Sequence, residues 1–339
     1  MRPFQFGGSP PPDPAPAACH GAATRTEPAP AAPRRAGRKE TRTRMLEVLI
    51  ALMPALLLSG CFLFGPRAFW LTAVSAAGCA GMEALYRRVT GQTPAWDDLS
   101  AVVTGVLLAF CLPVTTPYWA VLVGDFFAIV VVKQLFGGLG KNFLNPALAA
   151  RMFLFSFPEL MSRFTEVRVW TDAQSAATPM AALQGGVLPA FTLQEMFAGV
   201  RGGCMGEVSA ALLLFGGAYL VLRRVIRLRI PLCYLGTAAV LSYGFSPPGI
   251  DPVQWMLYGL MGGGLLLGAI FMATDPATAP VTGRGQVLYG VGCGVLTVVL
   301  RRYGGYPEGV AVAILTMNLA SRGLGWLVQT CGRRGEAAA

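Results

Sequence analysis

The sequence has few charged residues and almost no histidine, and these shortages exclude several classes of protein. Only 13% of its 339 residues are charged, roughly half the share that is usual in a soluble domain. The single histidine, His20, and eight scattered cysteines without a C-x-x-C pair indicate neither a metal site of ordinary ligand spacing nor a disulfide framework. The sequence therefore predicts neither a soluble domain nor a metalloprotein.

Long apolar runs dominate the sequence instead. Hydrophobic residues make up 54% of the chain, and the mean hydropathy is +0.55. This pattern is typical of an all-α polytopic membrane protein, with about ten transmembrane helices. The apolar runs cover residues 45–64, 68–86, 99–112, 118–135, 147–161, 207–222, 231–246, 252–273, 286–300 and 309–328.

The basic residues form short clusters between the apolar runs, and their placement predicts the topology. Lys and Arg are enriched in cytoplasmic loops, so the net charge of +10 indicates membrane orientation and not nucleic-acid binding. The Pro-rich and basic segment 1–44 is expected to be a disordered cytoplasmic tail. The other main clusters except Arg301-Arg302 then also fall inside, both termini (including the tail 329–339) are cytoplasmic, and loop 162–206 lies outside.

Two similar turns indicate an internal repeat. The sequence reads Pro113-Val114-Thr115-Thr116-Pro117 after the third run and Pro276-Ala277-Thr278-Ala279-Pro280 after the eighth. With five spans in each half, the halves 45–161 and 207–328 would be inverted relative to each other, with the functional site at their interface. Chance similarity between two turns rich in Pro and Thr is the alternative.

The polar run 172–180 stands out in the predicted outer loop. It reads Asp172-Ala173-Gln174-Ser175-Ala176-Ala177-Thr178-Pro179-Met180. The Thr178 hydroxyl follows alanines and is open to a modifying enzyme, and the next residue, a proline, disfavours a continuous helix through the site. An ordinary solvated loop is the alternative interpretation.

A second polar segment, Gly137-Gly138-Leu139-Gly140-Lys141-Asn142-Phe143-Leu144-Asn145-Pro146, lies between two apolar runs. It lacks the G-K-[ST] ending of a phosphate loop and does not follow a strand of an α/β unit. Its glycines are expected to let helices approach closely, while Asn142 and Asn145 offer amide groups to a polar ligand.

Together with segments 272–280 and 304–318, these motifs resemble the D-type subunit of the Rnf electron-transport complex and the homologous B-type subunit of the sodium-pumping NADH:quinone reductase. The resemblance runs from about Met45 to Leu327 and implies a urea-channel-like fold. That family attaches FMN by a phosphoester bond to the threonine of an S-G-A-T motif, with an acidic residue upstream. Asp172, Ser175 and Thr178 match this pattern, whereas Ala176 stands where the family has glycine.

The resemblance also implies a function. The chain would be the electron-transfer subunit of an ion-translocating oxidoreductase complex that couples ferredoxin/NAD electron transfer to Na⁺ or H⁺ movement, with no catalytic residue of its own. Expected partners are Rnf subunits A, B, C, E and G, a flavin transferase and the lipid of a bacterial inner membrane, with the Thr178 loop periplasmic. A second, non-covalent flavin such as riboflavin would contact Asn142, Asn145 and Asp275. A channel or secondary transporter without a redox role is the alternative.

A few charged residues complete the candidate site. Arg301 and Arg302 are predicted on the same side as Thr178, where they would face the FMN phosphate or the flavin anion, or else snorkel to the interface. Asp125 falls near the middle of the fourth run and is the candidate contact for the transported ion or proton, since ionisable groups inside spans are costly. A structural hydrogen bond or a protonated side chain is the alternative. Glu83 and Asp275 lie near span ends, where water is expected to reach them.

Overall fold

The computed structural model describes residues 38–92, 98–157, 179–199, 203–207, 209–304 and 309–321. These residues are helical, without a β-strand among them, and they belong to one compact unit. The fold class predicted from the apolar runs is therefore confirmed as all-α. The predicted tail 329–339, most of the tail 1–44 and residues 158–178 lie outside the described residues.

The helices follow the apolar runs closely. In chain order they are α1 (Arg38–Leu58), α2 (Arg67–Val89), α3 (Ser100–Phe110), α4 (Tyr118–Phe126), α5 (Pro146–Leu154), α6 (Pro179–Gln184), α7 (Leu193–Ala198), α8 (Ala210–Leu222), α9 (Arg229–Gly244), α10 (Pro252–Met261), α11 (Leu265–Leu267), α12 (Gly283–Tyr303) and α13 (Val310–Ser321). Helices α1, α4 and α11 continue as the π-helical segments Ser59–Leu63, Phe127–Gln134 and Gly268–Met272.

Each of the ten apolar runs contains a helix, but few of the described helices are long enough to cross a bilayer alone. Three are long and apolar enough, namely Glu40–Leu63, Arg67–Val89 and Gly283–Tyr303. The bent pair α10 and α11, with the π-helical segment that follows, makes a fourth if it counts as one span. Helices α3, α8 and α13 are apolar but shorter. At a rise of about 1.5 Å per residue, such helices cover only part of a hydrocarbon core of roughly 30 Å, so the count of ten spans stays a prediction.

Two glycines interrupt the helix between α10 and α11. Gly263 and Gly264 have φ values of +62° and +66°, which L side chains rarely adopt. The two helices are consequently bent by 62°. A broken helix of this kind leaves carbonyl groups at the end of α10 that other parts of the protein must satisfy.

Glycine also brings the long helices into close contact. A Cβ on Gly105 of α3 would lie 2.5 Å from the Ser75 carbonyl oxygen of α2, and a Cβ on Gly294 of α12 would lie 2.9 Å from the Tyr234 carbonyl oxygen of α9. The backbones can pack at these distances only without a side chain at the two positions.

The segment 188–200 contains the short helix α7. A capping box starts this helix, because the Thr192 hydroxyl accepts from the Glu195 N–H and the Glu195 carboxylate accepts from the Thr192 N–H. Its Met196 side chain is buried in a cluster with Trp255 and Tyr258 of α10. Helix α7 is therefore fixed to α10 by apolar packing.

Candidate functional site

A cavity beside the N-termini of α3 and α5 brings together three of the residues that were predicted to bind a ligand. Asn142, Asn145 and Asp275 all line it, together with Ser100 and Lys133. Its walls also include residues of α1 and α8 and the segment after α11. Residues from both predicted halves of the chain therefore meet at this cavity.

Both polar atoms of the Asn145 side chain make hydrogen bonds within the protein. It is the N-cap of α5, where its Oδ1 accepts from the N–H groups of Ala147 and Leu148 at 3.1 and 3.3 Å. Its Nδ2 donates to the Met272 carbonyl oxygen, 3.3 Å away. Asn145 therefore starts one helix and ties it to the end of the π-helical segment after α11.

Asn142 and Asp275 keep more acceptor capacity for a ligand. The Asn142 Nδ2 donates to the Leu144 carbonyl at 3.2 Å, whereas its buried Oδ1 has no hydrogen-bond partner among the described residues. The half-buried Asp275 accepts from the Ala277 N–H at 3.1 Å through Oδ1. Asn142 and Asp275 therefore offer this cavity hydrogen-bond acceptors, which suit a ligand that presents N–H or O–H groups.

Lys133 is buried where it lines this cavity. Its side chain is 2% exposed, and its Nζ lies 2.9 Å from Glu83 Oε2 and 2.6 Å from Ser100 Oγ. The Ser100 hydroxyl also lies 2.8 Å from Asp98 Oδ1. A lysine that is paired with a carboxylate in this way can remain charged although it is buried.

The prediction that water reaches Glu83 is wrong. This residue is 4% exposed, and protein groups supply the donors that water would otherwise supply. Its Oε1 accepts from Gln134 at 2.8 Å and from Arg87 at 2.7 Å, while Oε2 faces Lys133. The only local signal in the sequence is the i, i+4 spacing of Glu83 and Arg87 on α2.

Asp125, the candidate ion contact, lies in α4 without exposed surface. Its Oδ1 is 2.6 Å from Ser75 Oγ and 3.2 Å from Cys79 Sγ, both on α2. Its Oδ2 has no hydrogen-bond partner among the described residues. A Cβ on Gly78 would lie 2.6 Å from this oxygen, so the glycine makes room for the carboxyl group.

Arg301 and Arg302 line a second cavity, between α6, α10 and α12. The Arg301 guanidinium donates to the carbonyl oxygens of Gly259, Gly262 and Gly263 at 2.6, 2.9 and 3.2 Å, and so caps the broken end of α10. Arg302 is exposed. The two neighbouring arginines therefore have different surroundings, and the prediction that both face FMN stays a prediction.

The predicted attachment residues Asp172, Ser175 and Thr178 lie outside the described residues. Helix α6 starts at the next residue, Pro179, and its Met180 and Leu183 line the second cavity with the two arginines. The Gln184 Nε2 at the end of α6 lies 3.5 Å from the Arg301 carbonyl oxygen. The chain that directly follows Thr178 is thus held next to the end of α12.

Comparison with known proteins identifies the family. The model of the NQR2, RnfD, RnfE family matches residues 29–330. The D-type subunit of the Na(+)-translocating ferredoxin:NAD(+) oxidoreductase complex of Acetobacterium woodii is 45% identical over 285 residues, which cover 83% of this chain and 87% of that protein.

Two further relatives agree with this match. The D-type subunit of the proton-translocating ferredoxin:NAD(+) oxidoreductase complex of Clostridium ljungdahlii is 38% identical, over 81% of this chain and 86% of that protein. The D-type subunit of the ion-translocating oxidoreductase complex of Aeromonas hydrophila is 35% identical, over 83% of this chain and 91% of that protein. The resemblance found in the sequence motifs is confirmed, and the chain belongs to the NQR2, RnfD, RnfE family.

Proposed function

We propose that this protein is the D-type membrane subunit of an Rnf complex, an ion-translocating ferredoxin:NAD oxidoreductase. The observation that carries the proposal is the similarity to three D-type subunits of such complexes over more than four-fifths of this chain. Its partners are then the other Rnf subunits A, B, C, E and G. Ferredoxin and NAD would bind to those partners, since this chain has neither cluster cysteines nor a dinucleotide fingerprint.

The chain carries FMN as a phosphoester on Thr178, attached by a flavin transferase. Supporting this are the match of Asp172, Ser175 and Thr178 to the attachment motif and the exposed Arg302 of the second cavity, which lies beside the helix that starts at Pro179. A guanidinium forms strong charge-assisted hydrogen bonds with phosphate oxygens, so Arg302 fits an FMN phosphate better than Arg301, whose donors hold α10. FMN bound there would supply one-electron redox chemistry.

The cavity at Asn142 is the proposed contact site for a second, non-covalent flavin such as riboflavin. The Asn142 Oδ1 and the Asp275 carboxylate are acceptors that suit the N–H and O–H groups of such a ligand. Asn145 contributes mainly by holding α5 against the segment after α11.

The proposed topology has about ten spans in two inverted halves with a urea-channel-like fold. It places the protein in a bacterial inner membrane, among lipid, with both termini cytoplasmic and the Thr178 loop periplasmic. The positive clusters support this orientation, and the meeting of residues from both halves at one cavity agrees with a functional site at the repeat interface.

A channel or secondary transporter without a redox role is the second candidate, because a shared fold does not determine function. In-gel flavin fluorescence of the denatured protein, produced together with a flavin transferase, distinguishes the two. The wild type and Thr171→Val, which changes another threonine of the same segment, should each give a fluorescent band, whereas Thr178→Val should give none. A dark wild-type band would refute the attachment proposal and favour the channel, whereas a bright Thr178→Val band would refute attachment at Thr178 and indicate that another residue carries the flavin.

A further inference from the structure

The Ser75 hydroxyl contacts two oxygen atoms, and its single hydrogen cannot serve both of them if Asp125 is ionised. The Ser75 Oγ lies 2.6 Å from Asp125 Oδ1 and 2.9 Å from the Gly105 carbonyl oxygen. A hydroxyl group has one hydrogen, and both neighbours are acceptors if Asp125 is ionised. A proton on Oδ1 satisfies both contacts, because Asp125 then donates to Ser75 and Ser75 donates to Gly105.

The other carboxyl oxygen favours the same protonation state. Oδ2 has no hydrogen-bond partner within the described part of the chain, and Asp125 is fully buried. An ionised carboxylate here would carry an unpaired buried charge, whereas a neutral carboxyl group leaves only one carbonyl-type oxygen unsatisfied, which is far less costly. The Cys79 thiol at 3.2 Å is a weak donor and does not stabilise a full charge.

The charged groups on the helices packed around Asp125 are engaged elsewhere. Lys133 lies eight residues further along its own helix, about 12 Å away at helical rise, and is paired with Glu83 of α2 at 2.9 Å. On α5, Arg151 contacts Cys204 Sγ at 3.7 Å. Helix α3 contributes the backbone carbonyl that Ser75 faces. These elements therefore bring no cation into hydrogen-bond contact with Asp125 in the described residues.

The same surroundings do not suit a divalent metal cation. Hard cations such as Ca²⁺ and Mg²⁺ are held by about six or more oxygen atoms. Within the described residues the Asp125 carboxyl group contacts the Ser75 hydroxyl and the Cys79 thiol, and the Ser75 hydroxyl in turn contacts the Gly105 carbonyl. A proton needs only one donor and one acceptor, which this arrangement provides.

A stripe of buried polar groups leads from Asp125 towards the cavity that Lys133 lines. Cys79 contacts Asp125, Glu83 follows one turn later on α2, and Lys133 joins Glu83 to the cavity wall. Ile129, without exposed surface, lies between Asp125 and Lys133 along the helix. Apolar packing at Ile129 therefore interrupts the stripe in this conformation.

We infer that Asp125 is a proton-binding site in the membrane part of this protein, and that it exchanges its proton with water in the cavity at Lys133 while the complex works. Protonation breaks an O–H bond of a hydronium ion in the cavity and forms one on Asp125 Oδ1; the reverse step returns the proton to water. The exchange rests on the proposed membrane-complex function, whereas the protonated resting state does not.

Infrared difference spectroscopy of the purified full-length protein tests the resting state. Subtracting the Asp125→Asn spectrum from the wild-type spectrum at neutral pH should leave the C=O stretch of a protonated carboxyl group, unchanged when K⁺ is replaced by Na⁺. Ser75→Ala should keep this band but move it to higher frequency, because a hydrogen bond is lost. A difference spectrum with carboxylate bands instead, or loss of the C=O band in Na⁺, would overturn the inference.

Proton uptake tests the exchange. Inverted membrane vesicles with the complete complex receive reduced ferredoxin and NAD⁺, and proton uptake is measured per electron transferred. Asp125→Asn should lose most of this uptake, whereas Asp251→Asn, which changes the exposed N-cap of α10, should keep it, since Asn caps as well as Asp.

The two readouts separate the possible failures. Unchanged proton uptake in Asp125→Asn, with the infrared band present, would overturn the exchange step and make Asp125 a structural hydrogen bond between α2 and α4. The infrared result needs neither flavin nor partner subunits. A protein produced together with a flavin transferase that lacks covalent flavin but still shows the band would therefore refute the proposed attachment at Thr178 and not the proton site.

Discussion

The end of α4 and the end of α12 each carry a buried or half-buried basic residue, and the protein satisfies the two residues differently. Lys133, in the π-helical segment after α4, pairs with the Glu83 carboxylate and contacts the Ser100 hydroxyl. Arg301 near the end of α12 donates to the backbone carbonyls of Gly259 and Gly262. The first arrangement is an ion pair beside a cavity, whereas the second is a cap on a broken helix.

The helix interfaces that lead to these ends show the same contrast. In both interfaces a glycine lets the helix backbones pack closely, Gly105 in one and Gly294 in the other. The interface of α2 with α3 and α4 holds the ionisable Asp125, while the interface of α9 with α12 holds a neutral pair, Tyr234 and Thr297, with their oxygens 2.6 Å apart. Similar packing therefore supports different chemistry, and we expect substitutions in the first region to have the larger effects.

The largest effect is expected from Lys133→Met. Removing the lysine leaves the buried Glu83 with Arg87 and Gln134 as partners, and breaking one side of a buried ion pair costs about 3 kcal/mol or more. The measurement is the free energy of unfolding of the purified protein in detergent. The double variant Lys133→Met, Glu83→Gln should recover part of the loss, because it removes the carboxylate that has lost its lysine while Arg87 loses its partner. A double variant that is less stable than the single one would contradict this account.

Sequence patterns predict the helices of this protein better than they predict what lies between them. Each of the ten apolar runs contains a helix. A run is recognised by its length and hydropathy, and neither depends on the exact order of its apolar side chains. Hydropathy does not reveal the break at Gly263 and Gly264, because this break depends on backbone angles. The predicted span of residues 252–273 is therefore a bent pair of helices.

The candidate site was predictable only in part, for a similar reason. Asn142 and Asn145 stand in a recognisable segment, and Asp125 stands out as a carboxylate inside an apolar run. The pairing of Lys133 with Glu83 joins residues 50 positions apart, and no local pattern indicates which carboxylate a lysine will meet in the folded chain. The proposed attachment at Thr178 depends on resemblance alone, because Ser, Thr and Asp are also ordinary loop residues.

The second largest effect is expected from Gly105→Ala, which tests the glycine contact of the first region. The new Cβ would lie 2.5 Å from the Ser75 carbonyl oxygen, so α2 and α3 must move apart at a cost of about 2 kcal/mol. The matched control is Gly81→Ala on α2, where no atom lies within 4 Å of the new Cβ and the helix gains about 0.5–1 kcal/mol. Thermal unfolding in detergent compares the two variants. Equal midpoints would show that the contact is not tight.

A smaller effect is expected from Arg301→Gln, which tests the cap in the second region. The variant removes charge-assisted hydrogen bonds to the end of α10, so about 1.5 kcal/mol of stability should be lost. Arg302→Gln changes the exposed neighbour and should leave the unfolding midpoint unchanged, while it shifts the midpoint potential of FMN if that arginine faces the phosphate. A shift of the potential by Arg301→Gln alone would reverse these two roles.

The smallest effect is expected from Tyr234→Phe, which removes the neutral pair of the second region without making a charge. The Tyr234 hydroxyl and the Thr297 hydroxyl are both buried and bond each other at 2.6 Å, so the variant loses one ordinary hydrogen bond, worth about 1 kcal/mol. A threonine in a helix can turn its hydroxyl to a carbonyl one turn earlier, which limits the cost of the lost partner. Adding Thr297→Val should therefore change the free energy of unfolding little further. If Tyr234→Phe destabilised the protein as strongly as Lys133→Met, buried charge could not be the difference between the two regions.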